Sequence, residues 1–379
     1  MRWWRGGGGV GGSVRGRQHP GGAPARPGAR AARRGGAGAD VVTVGYDYLS
    51  ARARGFLGRL LPAERLRALC GLQSVEDLLH ELALAPSYAA DVAAVAGVQP
   101  PLEALGRALE RHRTRVVQTL RAAATGAARV LIDLVLGRDD LVAVKAVLRR
   151  WRARDAGHPA TWPLPVPGTL DASTLQALAS AGSVAALADL LALTGPAGAA
   201  LARVLRTVPS ARPAALEDRL DRAWAEDAVA RCGEGPDAEV VRTVLGWEID
   251  VRNLLAALRA GGEPLQFLPG GRFLRDELLH AIAATDDRAA AAAWLAATPY
   301  AGVLDGEGRL PWRQVERRLK RRVLELHRRL MFASDPLGMA PVSFCLAATQ
   351  AEVRDLRTIA AGLAVGLLPS VMAEALVGA

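Results

Sequence analysis

Residues 250–259 read DVRNLLAALR, and the same pattern returns elsewhere in the chain as DLVAVKAVLR (140–149) and EVRDLRTIAA (352–361). An acid opens each stretch, and an apolar residue stands four positions later: Val144, Leu254 and Leu356. Arg149 and Arg259 close the first two. YLSARAR (48–54) is a weaker fourth copy, with Arg54 in the place of Arg259. Apolar residues at i, i+3, i+4 and i+7 mark each stretch as an amphipathic helix. Recurrence at this separation marks an internally repeated architecture.

Other elements follow in the same order. LLP (60–62) precedes SVEDLLHELALAPSY (74–88), FLP (267–269) precedes AAAAWLAATPY (290–300), and PGTL (167–170) precedes VAALADLLALTGP (184–196). A charged helix comes next each time: LGRALER (105–111), LEDRLDR (216–222) and VERRLKR (315–321). Ala, Leu and Arg, all strong helix formers, dominate throughout. Alternating β-branched and aromatic strands bounded by turn dipeptides are missing. The predicted fold class is all-α, with three similar helical domains over 44–137, 138–248 and 249–350. A spare connector over 351–379 is placed to pack back on the first unit and close the array.

Within the connector, Val251, Leu254, Leu255 and Leu258 form the expected buried stripe, and Asn253 is the odd polar residue, suited to a cap or inter-helix hydrogen bond. Asp250 and Arg259 lie half a turn out of phase and cannot pair with each other. The acids Asp140, Asp250 and Glu352 and the bases Arg149 and Arg259 are read as first-turn and last-turn residues complementing the helix dipole.

The chain has 379 residues and a formal charge of +10, but the excess is uneven. Residues 1–40 carry eight Arg and one acid, Asp40, with thirteen Gly and three Pro. Such a segment has little to bury, so 1–43 is expected to be a disordered Arg/Gly-rich tail. The body is close to neutral and does not have the charge of a nucleic-acid-binding domain. Its only lysines, Lys145 and Lys320, follow Val144 and Leu319, so no Gly-Lys phosphate loop exists. Cys70, Cys232 and Cys345 are too dispersed for a disulfide framework or a cysteine zinc site. The pairs Asp139–Asp140 and Asp286–Asp287 lack a third acid, with Ala143 and Ala290 in its place. None of His19, His80, His112, His158, His280 and His327 forms a two-histidine metal motif. No catalytic residue, cofactor or metal is therefore expected. The longest uncharged run near the C-terminus, 358–373, is interrupted by Pro369 and is shorter than the roughly 20 residues a spanning helix needs.

GYDYLSARARGFLGRLLP (45–62), SVEDLLHELALAPSY (74–88), DVRNLLAALRAGG (250–262), ATPY (297–300) and AEVRDLRTIAAGLAVGL (351–367) together resemble the C subunit of the prokaryotic V/A-type ATPases, the counterpart of the eukaryotic d subunit. The resemblance covers about 44–379. It implies three helical domains in a funnel and a non-catalytic place on the rotor. There the chain would join the shaft subunits of the central stalk to the proteolipid ring, in a proton- or sodium-translocating ATPase. It also implies one copy per complex, peripheral to the cytoplasmic side of the membrane, with no nucleic acid. Four departures stand out. The tail is foreign to the pattern, Lys145 replaces the apolar residue seen at Leu255, Thr194–Gly195–Pro196 lacks the tyrosine found at Tyr88 and Tyr300, and the joint RDAGHPATWPLPVPG (154–168) is unusually Pro-rich.

The densest basic cluster of the body is Arg317, Arg318, Lys320, Arg321 and Arg322, with Arg317 and Arg321 on one helical face and Arg318 and Arg322 on the next. An acidic partner surface is the expected contact. The alternative is an Arg-rich helical protein that binds nucleic acid through VERRLKRRVLELHRRL (315–330).

Overall fold

The structure, a computed structural model, describes residues 46–155, 165–207, 213–260, 265–305 and 311–378. The expectations for the 1–43 tail, and for most of the Pro-rich joint at 154–168, lie outside the described residues. Sixteen helices and no strand form among the described residues, so the fold class is all-α.

Helices α1 (Tyr46–Leu57), α2 (Ala63–Leu69), α3 (Val75–Leu84), α4 (Ala89–Ala93) and α5 (Pro101–Ala123) lead into the long α6 (Gly126–Asp155). After it come α7 (Ala172–Ala179), α8 (Val184–Ala192), α9 (Pro196–Thr207), α10 (Pro213–Arg231) and the long α11 (Pro236–Ala257). The remainder is α12 (Asp276–Ala283), α13 (Arg288–Leu295), α14 (Trp312–Ala333), the long α15 (Met339–Ala364) and α16 (Pro369–Ala375).

Local chemistry sets where the helices start. Ser74, Ser183 and Asp287 occupy the same place in the three repeated stretches, and each N-caps the helix after it by accepting from Asp77, Ala186 and Ala289/Ala290 N–H. A cap of this kind is worth about 1 kcal/mol. Asp287, from one of the acidic pairs noted in the sequence, is thus a capping residue. Proline begins α5 and α10 and immediately precedes α14, where a missing N–H costs nothing.

The buried side chains fall into three large clusters and one small one. One runs through α6, α8, α10 and the N-terminal halves of α11 and α15. In another, Leu254 and Ala257 at the end of α11 join α12, α13 and the start of α14. The remaining large cluster combines residues 66–109 with Val353, Leu356, Ile359 and Ala360 of α15. The last long helix therefore shares a core with the first short ones. Of the expected stripe, Leu254 is fully buried, while Val251, Leu255 and Leu258 are partly buried against the same cluster.

Two sequence-based expectations are corrected here. Asp140, Asp250 and Glu352 do not sit in first turns, because α6, α11 and α15 begin more than ten residues before them. The expected boundaries near 137, 248 and 350 consequently fall inside these three helices. Arg54 is also not the counterpart of Arg259. It donates to Pro336 O at 3.0 Å, while Ser50 of the same helix donates to Leu337 O and Gly338 O at 2.7 Å, so α1 fastens the α14–α15 link.

Candidate functional site at the junction of the three long helices

Each repeated acid grips main-chain N–H groups outside its own helix. Asp140 accepts from the N–H groups of Gly168, Thr169 and Leu170 at 2.8–3.1 Å and from Thr169 Oγ1 at 2.6 Å. Asp250 accepts from Arg272, Phe273 and Leu274 N–H at 2.9–3.3 Å and from the Tyr300 hydroxyl at 3.0 Å. Glu352 accepts from Leu61 N–H at 2.6 Å and from the Tyr88 hydroxyl, residues far back at the other end of the chain. The missing middle tyrosine is thereby explained: the Thr169 hydroxyl does for Asp140 what Tyr88 and Tyr300 do for the other two. Asn253 adds a second clamp in its unit, donating to Leu268 O at 2.9 Å and accepting from Leu268 N–H at 2.8 Å.

Close approach requires glycine beside two of these clamps. A Cβ on Gly168 would lie 2.2 Å from Leu136 O, and one on Gly271 would lie 2.5 Å from Asp250 Oδ1.

Burial raises the carboxyl pKa at all three positions. The hydrogen bonds oppose it without cancelling it, leaving Asp250 at about 6 and Glu352 at about 7.

The repeated bases are not last-turn residues either: Arg149 stands six residues before the end of α6 and Arg259 two beyond the end of α11, and both reach other helices. Arg149 pairs with Glu217 and Arg259 with Glu316, joining each connector to its charged helix. One turn earlier on the connectors, Lys145 pairs with Asp221 at 2.5 Å and Arg357 with Glu110 at 3.1 Å. Asp221 and Glu110 hold the same position in LEDRLDR and LGRALER. In the remaining copy of the sequence pattern those two positions are Leu255 and Lys320, so that pair does not exist there. Lys145, an apparent departure, is thus one half of a recurring ion pair.

Two residues before each repeated acid stand Arg138, Glu248 and Gln350. Sequence reading passed over them, although their constant offset from the acids was available. All three line one cavity of about 80 Å³ where α6, α11 and α15 meet α5 and α14. Arg138 pairs with Glu248 at 2.6 Å, and Arg113 with Asp139. His327 is 3 % exposed and lies edge-on to Trp247, with ring centroids 5.3 Å apart. Burial pulls its pKa to about 4, so it is neutral at pH 7. Its Nδ1 and Gln350 Oε1 have no partner among the described residues. The cavity has room for a few waters, each needing about 10–15 Å³.

The basic cluster of α14 is partly used up internally. Arg318 donates to Gly302 O at 3.1 Å, Arg322 to Ala301 O at 3.1 Å and to Glu325, and Arg321 to Leu376 O. The side chains of Arg317 and Lys320 have no hydrogen bond or ion pair among the described residues. Among the described residues no group of three or more His, Cys, Asp or Glu is placed to hold a metal, and no helix is long and apolar enough to cross a membrane.

Three repeated clamps around one polar junction, without any assembled catalytic set among the described residues, are accompanied by a clear relationship to known proteins. The family model for the ATP synthase (C/AC39) subunit matches residues 49–375. The C subunit of the V-type ATP synthase of Thermus thermophilus is 32% identical over 320 residues, covering 83% of this chain and 93% of that protein. The C subunit of the A-type ATP synthase of Methanothermobacter thermautotrophicus is 25% identical over 335 residues, covering 83% of each. The chain belongs to the ATP synthase (C/AC39) subunit family.

Proposed function

We propose that this chain is a non-catalytic rotor subunit of a V/A-type ion-translocating ATPase. It would join the shaft subunits to the proteolipid ring, one copy per complex, on the cytoplasmic face and peripheral to the membrane. The carrying observation is the return of the last long helix to the first short ones: Glu352 and the end of α15 are bonded to and packed with residues 61–109. On this reading three similar units stand around the junction of α6, α11 and α15 in a funnel. A closed set of units has no free end to peel when sheared, which is what an element carrying torque without chemistry requires. The family membership and the similarity to the C subunits of V-type and A-type ATP synthases support the same reading.

The acidic partner expected for the basic cluster is assigned to α14 around Arg317, whose side chain has no hydrogen bond or ion pair among the described residues. The nucleic-acid alternative loses support, because Arg318, Arg321 and Arg322 are committed to carbonyl oxygens of their own chain.

The test uses inverted membrane vesicles from cells lacking the chain. ATP hydrolysis is expected to persist while ATP-driven ion uptake is lost, and adding the purified chain should restore uptake. Undiminished uptake without the chain would overturn the coupling role.

A further inference from the structure

We propose that Arg138, Lys320 and Arg354 form a binding site for a phosphate-type oxyanion at the edge of the central junction. The broken pair of the third unit is the first sign of it. Where the other units hold Glu110 against Arg357 and Asp221 against Lys145, this unit offers a lysine and no carboxylate. Lys320 is exposed, and it stands seven residues, two turns, before the cavity-lining His327 on α14. Arg354 stands four residues, one turn, beyond the cavity-lining Gln350 on α15. The two helices are joined by a short link and pack together, so moving back along one and forward along the other leads to the same end of the junction. Arg138 of α6 lines the cavity itself.

Three cations from three helices thus gather at one end of the junction, and of the three only Arg138 has a carboxylate, Glu248, paired to it. Partial burial, then Arg354 and Arg138, lower the Lys320 pKa. Burial, then Arg138, lower that of Arg354. The acids nearby are occupied. Glu248 is bonded to Arg138, Asp355 accepts from Val377 and Gly378 N–H at 2.7 Å, and Glu316 is paired with Arg259. Neither the Lys320 nor the Arg354 side chain has a hydrogen bond or ion pair among the described residues. Three residues before Lys320 on the same helix, Arg317 Nε is buried without a partner among the described residues. A compact dianion is the ligand that relieves this repulsion. Arginine presents a planar fork to its oxygens, and lysine a point charge. The site rests on the helix register and the missing pair, and not on the coupling reading.

The experiment is thermal unfolding of the purified full-length chain in inorganic phosphate, with sodium chloride holding ionic strength constant. A saturable rise in Tm of about 2–4 °C is expected, the size that ligand linkage gives a chain of this length. Lys320→Gln should raise Tm in chloride, because it removes a repelling charge, and should abolish the response to phosphate. Lys320→Arg should retain the response, and so should Arg313→Gln, an exposed change on the same helix. Equal Tm in phosphate and chloride would overturn the site. So would an undiminished phosphate response in Lys320→Gln, or its loss in Arg313→Gln, which would show diffuse screening.

Discussion

Replacing Asp250 by alanine is expected to destabilise the protein by about 3–5 kcal/mol, measured as a shift of the denaturant unfolding midpoint. The side chain is completely buried, and its two oxygens accept from Arg272, Phe273 and Leu274 N–H and from the Tyr300 hydroxyl. Alanine leaves all four donors facing apolar surroundings, and each unmet buried donor costs about 1–3 kcal/mol before the segment relaxes. Two further variants separate the causes. Asp250→Asn keeps an acceptor oxygen and a polar group for Tyr300, so about 1–2 kcal/mol is expected. Tyr300→Phe removes one donor and leaves the main-chain clamp intact, so its cost should be the smallest. A first-turn acid complementing a helix dipole would contribute only about 0.3–1 kcal/mol. A loss under about 1 kcal/mol for the alanine variant would therefore remove the clamp as a stabilising device.

That contrast shows what was legible in the sequence. The helices were readable because their apolar spacing is strong, and the acids were readable as a recurring position. Their role was not, because the repeated pattern begins at the acid while the helix begins at Gly126, Pro236 or Met339. A pattern shared by all units marks where they are alike, and not where an element starts. The partners were hidden for a different reason. The segments that receive the clamps, 168–170, 272–274 and Leu61, contribute backbone N–H groups, which every non-proline residue has, so no residue type announces them. The single clue was the tyrosine present in two units and absent from the third. It became interpretable only when Thr169 was seen donating in its stead. The basic cluster of α14 misled in the opposite sense. Charge density was plain in the sequence, whereas the carbonyls of Ala301, Gly302 and Leu376 that bind three of its arginines were not.

The stability of the wild-type chain is expected to fall as pH rises from about 5 to 8, and Glu352→Gln is expected to remove much of that fall. Glu352 joins α15 to Leu61 and Tyr88, and burial dominates its protonation, holding the folded-state pKa at about 7 against an ordinary value of 4.5. A carboxyl that binds its proton more tightly when folded stabilises the fold fully below its unfolded pKa. That contribution is lost as pH climbs through the folded one. The span of these two values corresponds to about 3 kcal/mol. Facing Glu352 are Tyr88, Asp355 on its own helix, and Arg59, His112 and Arg115 around the adjoining hollow, with Asp91 bonded to both His112 and Arg115. Of these, Asp355 reinforces the raised value, and the Tyr88 and Leu61 bonds oppose it. Glutamine supplies a neutral isostere at every pH: its oxygen accepts from Leu61 N–H and its amide donates to the Tyr88 oxygen. The variant should match the wild type within about 1 kcal/mol at pH 5 and exceed it by about 2–3 kcal/mol at pH 8. Asp250, with its pKa at about 6, leaves a residual slope at lower pH in both proteins, and this cancels in the difference. A variant-minus-wild-type difference that stays constant from pH 5 to 8 would mean that Glu352 is ionised in the fold throughout. The closure of the last helix on the first cluster would then be held by a charged carboxylate, and it would not weaken as the medium becomes alkaline.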